Sequence, residues 1–373
     1  MYSRLYSAPM NAVVRPIASR PKGTLRRLLQ PFVAPPVFDF WAGHFNRNWT
    51  WDRPRARLLS REPAAEGAMT LLLKPNRHWT GARPGQHVNL GVDIDGVRVT
   101  RSYSLSELRT DGLLAITVKA VEGGRVSGHL CERARPGEVF ELGQAFGDFR
   151  APEAPLLLLA AGSGITPLIA LVRDRAALGM PTPIDLFYWA RTREQLCFVD
   201  ELRALAMRHP QFRFHAVLTA QSARAADESE GRLHAAQLDV SVPDITVRHV
   251  LACGPGGFVH TARELLADRV ASFQSEAFSP APAAVIDEGE VQVHLRRSGR
   301  RLQIARGQSL LLALEDAGLK PASGCRMGIC NTCACGKRTG STRHLPSGEL
   351  VHEPTQALKL CIHSAATDLE LDL

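Results

Sequence analysis

The 373-residue chain has no apolar run long enough to cross a bilayer: stretches such as Pro155 to Ala161 fall far short of the ~20 residues a membrane helix needs. The first residues also lack the continuous apolar segment and small-residue cleavage site of a secretory signal, so the expected compartment is the cytoplasm. Aromatic residues are scarce at 6%, and no dense Lys/Arg block runs through the chain, so the formal charge of +8 is not read as a nucleic-acid footprint. Docking to an acidic protein or a membrane surface fits that charge better. No low-complexity tract and no internal repeat is found, and the balance of hydrophobic (45%) to charged (22%) residues is that of chains that bury real cores.

A length of 373 residues exceeds what one core supports, so several packed units are expected. Residues 1 to 54 form an extension in which Arg4, Arg15, Arg20, Lys22, Arg26 and Arg27 precede the first acid, Asp39, and mix with Leu28, Leu29, Phe32, Phe38, Phe40 and Trp41. Its composition permits an interfacial helix on anionic lipid, peripheral at the inner face of the membrane. A strap packed on the following domain is the other reading. Residues 55–150 show six short β-like runs between turn residues, predicting a small antiparallel barrel. Residues 151–271 alternate strand and helix, predicting a parallel sheet. A Ser, Ala and Pro-rich stretch over 272–287 reads as a linker. Residues 288–373 open with a hairpin around Ser298-Gly299, continue with a short helix over 309–317, and then carry cysteines.

Eight cysteines in a chain expected to remain in a reducing compartment point to metal rather than disulfides, and five of them lie in the last fifty residues. Cys325, Cys330 and Cys333 follow a C-x4-C-x2-C spacing, with Cys361 further on. Four thiolates at this spacing suit a plant-type 2Fe-2S cluster rather than the paired C-x2-C of a zinc ribbon. Gly324 and Gly328 let the backbone come close enough to aim N–H groups at the sulfurs. Cys335 competes with Cys333 for the third ligand position, and the spacing favours Cys333.

Arg101-Ser102-Tyr103-Ser104 lies on a predicted barrel strand and is followed by Gly123-Gly124-Arg125-Val126-Ser127. A guanidinium grips phosphate in a fork, an aromatic face covers a flat ring, and glycines with a serine form an anion nest. Here the sequence resembles the ferredoxin–NADP reductase superfamily, fused to a ferredoxin domain and similar to reductase partners of acyl desaturases and oxygenases. The resemblance implies that the Arg-x-Tyr-Ser strand holds a flavin, with Arg101 on its phosphate, Tyr103 against the ring and Ser104 near N5. It extends to His87 in the preceding turn and to Gly123, Gly124, Val126 and Ser127. FAD is expected over the FMN of a sibling family. Gly162, Gly164, Thr166 and Pro167 join a buried strand to a helix where a pyrophosphate is expected. Cys253, Gly254 and Pro255 resemble the turn lining the nicotinamide. Tyr103, Ser104 and Cys253 are thus the expected catalytic residues. Arg191 and Arg193 stand where an acid would select NADH, so NADPH is expected, with NADH as the alternative.

The implied fold is multidomain, α+β and α/β: a flavin-binding barrel, a nucleotide-binding parallel sheet and a β-grasp ferredoxin domain. The implied activity is NAD(P)H oxidation, with electrons passed singly through the cluster to a separate iron oxygenase. A di-iron fatty acyl desaturase is the expected acceptor. A reductase of an aromatic-ring or alkane oxygenase is the first alternative, and a redox-sensing module the second. No pair of histidines at metal-ligand spacing and no Glu-x-x-His is read in the chain, so the oxygen-activating iron is expected on the partner.

Overall fold

The computed structural model describes residues 34–278, 287 and 289–373; the basic residues of the first 33 positions lie outside them. A helix, α1 (Pro35–Phe45), precedes a closed barrel of β1 (Arg55–Ala65), β2 (Ala68–Pro75), β3 (His87–Ile94), β4 (Val97–Leu108), β5 (Leu114–Lys119) and β6 (Val139–Leu142). The barrel order is β1-β2-β5-β4-β3-β6, with antiparallel neighbours throughout. Alternation makes this possible: Leu58, Leu71, Leu73, Leu90, Leu105, Leu114, Ile116, Phe140 and Leu142 point inward and are buried, while their neighbours face out. A short helix, α2 (Arg125–Gly128), runs into one π-helical turn over His129–Arg133, and Val126 and Leu130 join the barrel core.

The second domain is a parallel sheet built from β7 (Leu156–Ala161), α3 (Ile165–Ala177), β8 (Ile184–Ala190), α4 (Val199–Arg208), β9 (Phe212–Leu218), β10 (Glu228–Glu230), α5 (Ala235–Ser241), β11 (His249–Gly254), α6 (Gly256–Leu266) and β12 (Ser272–Ala277). Its order is β10-β9-β8-β7-β11-β12, so the connection leaves the centre at β7 in both directions. Helices cover both faces, which is why Leu-Leu-Leu-Leu-Ala-Ala in β7 and Ile-Asp-Leu-Phe-Tyr-Trp-Ala in β8 are buried at every position. The stretch expected as linker therefore begins as an edge strand, β12, and only residues 279–286 of it lie outside the described residues. Its Ser-Phe-Gln-Ser-Glu-Ala sequence is too polar to show strand periodicity, because only one side of an edge strand packs. Two short elements, β10 and α5, were likewise not anticipated, while the barrel strands and the longer helices fall where the pattern puts them.

The last domain is a β-grasp. β13 (Glu290–Leu295) and β14 (Arg301–Ala305) form a hairpin, and α7 (Leu310–Asp316) packs on the sheet. β15 (Ala334–Thr339), β18 (Thr355–Lys359) and β20 (Leu369–Leu371) complete the order β14-β13-β20-β15-β18. β16 (Thr342–His344), β17 (Leu350–Val351) and β19 (His363–Ala365) make a small second sheet. The segment between α7 and β15, which carries three of the cysteines, has no strand or helix.

One buried charge cluster anchors the parallel sheet. Asp185 on β8 is 1% exposed at its side chain and accepts from Arg213 Nε at 2.6 Å and Nη2 at 2.9 Å, with Arg248 Nη2 at 3.2 Å. Burial pushes the carboxyl up, but the hydrogen bonds of His215 and Arg213 and the charges of Arg213 and Arg248 outweigh it and hold it below the usual range. Asp185→Ala leaves Arg248 buried without that carboxylate and is expected to cost about 3–5 kcal/mol, read as a lower urea midpoint for this domain's transition. Because the folded carboxyl titrates below its unfolded value, the Asp185 contribution is complete above about pH 4 and declines as pH falls below it. Acid unfolding of Asp185→Asn should accordingly be less steep than that of the wild type.

Candidate functional site

The site forms where the barrel meets the carboxyl ends of the parallel strands. Arg173 on α3 ties the two together, donating from Nη1 to the Ser106 carbonyl of β4 at 2.7 Å while its Nε and Nη2 grip Glu201 at 2.8 and 2.7 Å. At this junction four polar side chains are linked by strand register. Ser104 pairs with His87 across β4 and β3, His87 Nε2 lies 3.2 Å from Glu276 Oε2, and Glu276 pairs with Cys253 across β12 and β11. His87 is 1% exposed and stacks on Phe146, with Phe278 edge-on to it. Ser104 Oγ, both His87 ring nitrogens and Glu276 Oε2 are buried without a hydrogen-bond partner among the described residues. The 3.2 Å approach of His87 to Glu276 therefore lacks hydrogen-bond alignment. Burial, and then the nearby Glu276, pushes the Cys253 thiol far up, so it stays protonated. Glu276 escaped the sequence reading because it lies in the stretch taken for a linker; its signal was the single acid on a strand following Cys-Gly-Pro.

The flavin strand has the polarity its expected ligand requires. Ser102 Oγ donates to Asn89 Oδ1, and Arg101 Nη1 is turned to the Thr100 carbonyl at 2.8 Å. Burial lowers the Arg101 pKa first, followed by the charge of Arg326 from the ferredoxin domain, with Arg125 adding to it. Glu315, paired with Arg326, offsets part of this, and the remaining surplus of positive charge favours an anion. Burial raises the Tyr103 hydroxyl well above its ordinary value, which keeps the ring neutral. Gly123 takes φ of 68°, and Ser127 Oγ accepts from Val121 N at 3.2 Å and donates to the Gly124 carbonyl at 3.3 Å. This holds Gly123, Gly124 and Val126 in a tight turn beside a cavity of about 400 Å³ lined by residues 120–125, Gly128, Glu132 and Arg133. Buried unpaired donors at the ring position and cations at the phosphate position fit a flavin.

On the nucleotide side Gly162 to Gly164 form one 3₁₀ turn leading into α3. A Cβ at Gly164 would lie 1.9 Å from the Cys253 carbonyl oxygen, so only glycine lets the ends of β7 and β11 touch. Thr166 is buried and donates from Oγ1 to the Ser163 carbonyl at 3.0 Å, and Pro167 follows in the first turn of α3. Pro255 is the N-cap of α6, directly after Cys253 and Gly254. The two expected specificity arginines separate. Arg193 is bound to Glu228 and Gln221, and its hydrogen bond is the chief reason the Glu228 carboxyl is held well below the usual range. Arg191 is exposed immediately after β8, as is Arg224 in the loop after β9, a cation the sequence reading did not single out.

Cys325, Cys330, Cys333 and Cys361 converge as two pairs. The Cys325 thiol bonds Cys330, lowering the Cys330 pKa, and the Cys361 thiol does the same for Cys333. Backbone donors surround them: Met327 N, Ile329 N and Cys330 N each lie 3.3 Å from Cys325 Sγ, Cys325 N 3.2 Å from Cys330 Sγ, and Gly328 N 3.2 Å from Cys361 Sγ. Gly328 reaches that sulfur with φ of 76°, and a Cβ there would meet Ile362 Cδ1 at 2.4 Å. Two thiol pairs ringed by N–H donors fit two irons with two thiolates each. Among the described residues no three or more His, Cys, Asp or Glu side chains converge on one metal point, as a binuclear cluster does not require them to. Cys335 points into the β-grasp core, where burial, then Cys333, pushes its thiol up to about 12. One Glu-x-x-His spacing, Glu349 to His352, does occur, contrary to the sequence reading. It makes no metal site, because His352 Nδ1 bonds Ser341 Oγ at 2.7 Å.

The fold and these constellations define an electron-transfer flavoprotein with its own iron–sulfur domain. Comparison with known proteins agrees. The sequence matches the oxidoreductase FAD-binding domain over residues 64–150, the oxidoreductase NAD-binding domain over 158–264 and the 2Fe-2S iron-sulfur cluster binding domain over 293–362. It is 33% identical to an NADPH oxidoreductase of Mycobacterium tuberculosis, covering 94% of this chain and 92% of that one. It is 29% identical to the glycine betaine monooxygenase reductase subunit of Chromohalobacter salexigens, covering 73% and 81%. Phthalate dioxygenase reductase shares the fold with a TM-score of 0.56 and 23% identity, over 86% of this chain and 97% of that one. The chain belongs to the ferredoxin–NADP reductase superfamily, in the branch that carries a C-terminal 2Fe-2S domain, and is an NAD(P)H-dependent oxidoreductase using FAD and that cluster.

Cys333→Ser is expected to abolish the cluster's visible absorption and iron content, whereas Cys335→Ser keeps both; iron assay and low-temperature EPR decide. Ser104→Ala is expected to retain FAD but slow its reduction by NADPH roughly ten- to a hundredfold, the size of about 1.4–2.8 kcal/mol for one hydrogen bond at the reacting atom. Stopped-flow bleaching of the flavin checks this.

Proposed function

We propose that the protein is the reductase component of an oxygenase system, oxidising NADPH and delivering electrons one at a time to a separate oxygen-activating iron protein. The observation that carries this is the presence in one chain of a thiol cage on one domain and a buried polar junction between the other two. When bound, the nicotinamide supplies a hydride, the flavin accepts two electrons and releases them singly, and the cluster carries one. The residues do the rest. Tyr103 would cover the flavin ring, Arg101 and the Gly123–Ser127 turn would hold its phosphates, and Ser102, donating to Asn89, would steady the strand pair that carries them. Ser104 and His87 supply hydrogen bonds at the reacting edge, while Cys253 and Glu276 line the nicotinamide side and exclude water. Gly162, Gly164, Thr166, Pro167, Gly254 and Pro255 bring the pyrophosphate to the start of α3. Cys325, Cys330, Cys333 and Cys361 are the cluster ligands.

NADPH is preferred over NADH because Arg191, exposed at the tip of β8, forms no ion pair among the described residues, whereas Arg193 holds the adjacent loop through Glu228. Relatives named as reductase subunits of monooxygenases favour an oxygenase acceptor. The acyl desaturase expected from the sequence finds no support among these relatives, whose names are those of oxygenase reductases.

Arg191→Ala is expected to raise KM for NADPH about tenfold with KM for NADH unchanged, the loss of one charge-assisted phosphate contact; steady-state kinetics with both nucleotides checks it. For the acceptor, product formation by purified oxygenase and desaturase components is compared using wild-type and Cys333→Ser reductase. Turnover by wild type alone, with ferricyanide reduction kept in both, supports the reading. Equal turnover with the cluster-free variant would contradict it.

A further inference from the structure

Helix α1 is inside out. Its carboxylate, Asp39, is 8% exposed and accepts from Trp51 N at 2.6 Å and from Arg53 Nη2 at 2.7 Å, while Phe38 packs edge-on to Trp51. Val37, Trp41 and Phe45 recur every four residues on the opposite side at 53%, 62% and 83% exposure, with Phe40 beside them and Trp49 just beyond. A helix that hides its charge and shows aromatic residues has been folded against something other than water.

Beneath α1 lies a cavity of about 610 Å³, lined by Phe40, His44, Arg47 and Arg55 together with Asp39, Asp93, Val139, Glu141 and Arg98, the last from the start of β4. Asp39 is held by Arg53, and Arg98 binds both Asp93 at 2.7 Å and Glu141 at 2.8 Å. Arg47 and Arg55 form no ion pair among the described residues; the Arg55 guanidinium is turned to the Arg47 carbonyl. With Arg53, four arginines face the three carboxylates, a surplus of one positive charge. Burial, and then the adjacent Arg53, presses the Arg55 pKa down, while the charges of Asp39 and Glu141 oppose the shift. Six Arg and Lys residues precede Asp39 in the sequence with no acid among them.

We propose that α1 and the cavity below it form a docking surface for a bilayer of anionic phospholipid, the aromatic stripe entering the interface and one lipid phosphate seated between Arg47 and Arg55. Trp and Phe at the headgroup boundary beside arginines is the arrangement an interfacial anchor requires, and the uncompensated positive charge selects acidic over zwitterionic lipid. Such docking holds the ferredoxin domain near a membrane-borne acceptor, yet it depends neither on that acceptor nor on turnover.

The test is co-sedimentation of the full-length protein with vesicles of phosphatidylcholine alone or mixed with phosphatidylglycerol. Wild type, the double variant Trp41→Ser/Phe45→Ser and the double variant Arg47→Gln/Arg55→Gln are compared. The wild type is expected to bind the acidic vesicles and to be released by salt, with each double variant at least about tenfold weaker. Visible spectra and NADPH–ferricyanide activity should be unchanged in all three, which separates lost docking from lost folding. No sedimentation of the wild type, equal binding to neutral vesicles, or full binding by either folded double variant would overturn the proposal.

Discussion

The flavin–nicotinamide junction of this molecule depends on a set of buried polar atoms that lack aligned hydrogen bonds among the described residues: Ser104 Oγ, the two nitrogens of His87 and Glu276 Oε2, the last 3.2 Å from His87 Nε2. Burying such groups without aligned hydrogen bonds costs free energy, which is offset at a site where a ligand supplies the missing bonds. The barrel contributes Ser104 and His87, and the parallel sheet contributes Cys253 and Glu276. Neither domain alone assembles the set. The contact of Gly164 with the Cys253 backbone and the grip of Arg173 on β4 therefore serve the chemistry as directly as the side chains that line it.

The ferredoxin domain follows the same logic with softer atoms. Its cysteine loop has neither strand nor helix, so its backbone N–H groups are unclaimed by secondary structure and turn to the sulfurs instead. Arg326 and Glu315 pair on this domain at 2.8 Å, and the Arg326 charge reaches Arg101 on the flavin strand.

Much of this was legible in the sequence. The barrel strands were marked by alternation, the parallel strands by unbroken apolar runs, and the cluster ligands by a spacing that few other structures use. Cys333 rather than Cys335 was expected from the same spacing, and it is Cys333 whose thiol meets that of Cys361. What stayed hidden were features that depend on a neighbour. β12 is polar because it is an edge, so Glu276 sat unnoticed in what read as a linker. Arg193 looked like a partner for a nucleotide phosphate until Glu228, distant in sequence, proved to hold it. The exposure of Trp41 and Phe45 was equally invisible, because an apolar helix in a sequence reads as buried until its packing is known.

The central claim is that one chain couples a two-electron flavin to a one-electron cluster. Anaerobic titration with NADPH, followed by visible absorption and EPR, tests it most directly. The account predicts that flavin and cluster absorption both bleach, that about 1.5 equivalents of NADPH complete the reduction, and that about one unpaired spin per chain appears on the cluster. An endpoint near one equivalent, with the flavin bleached and no cluster spin, would contradict it.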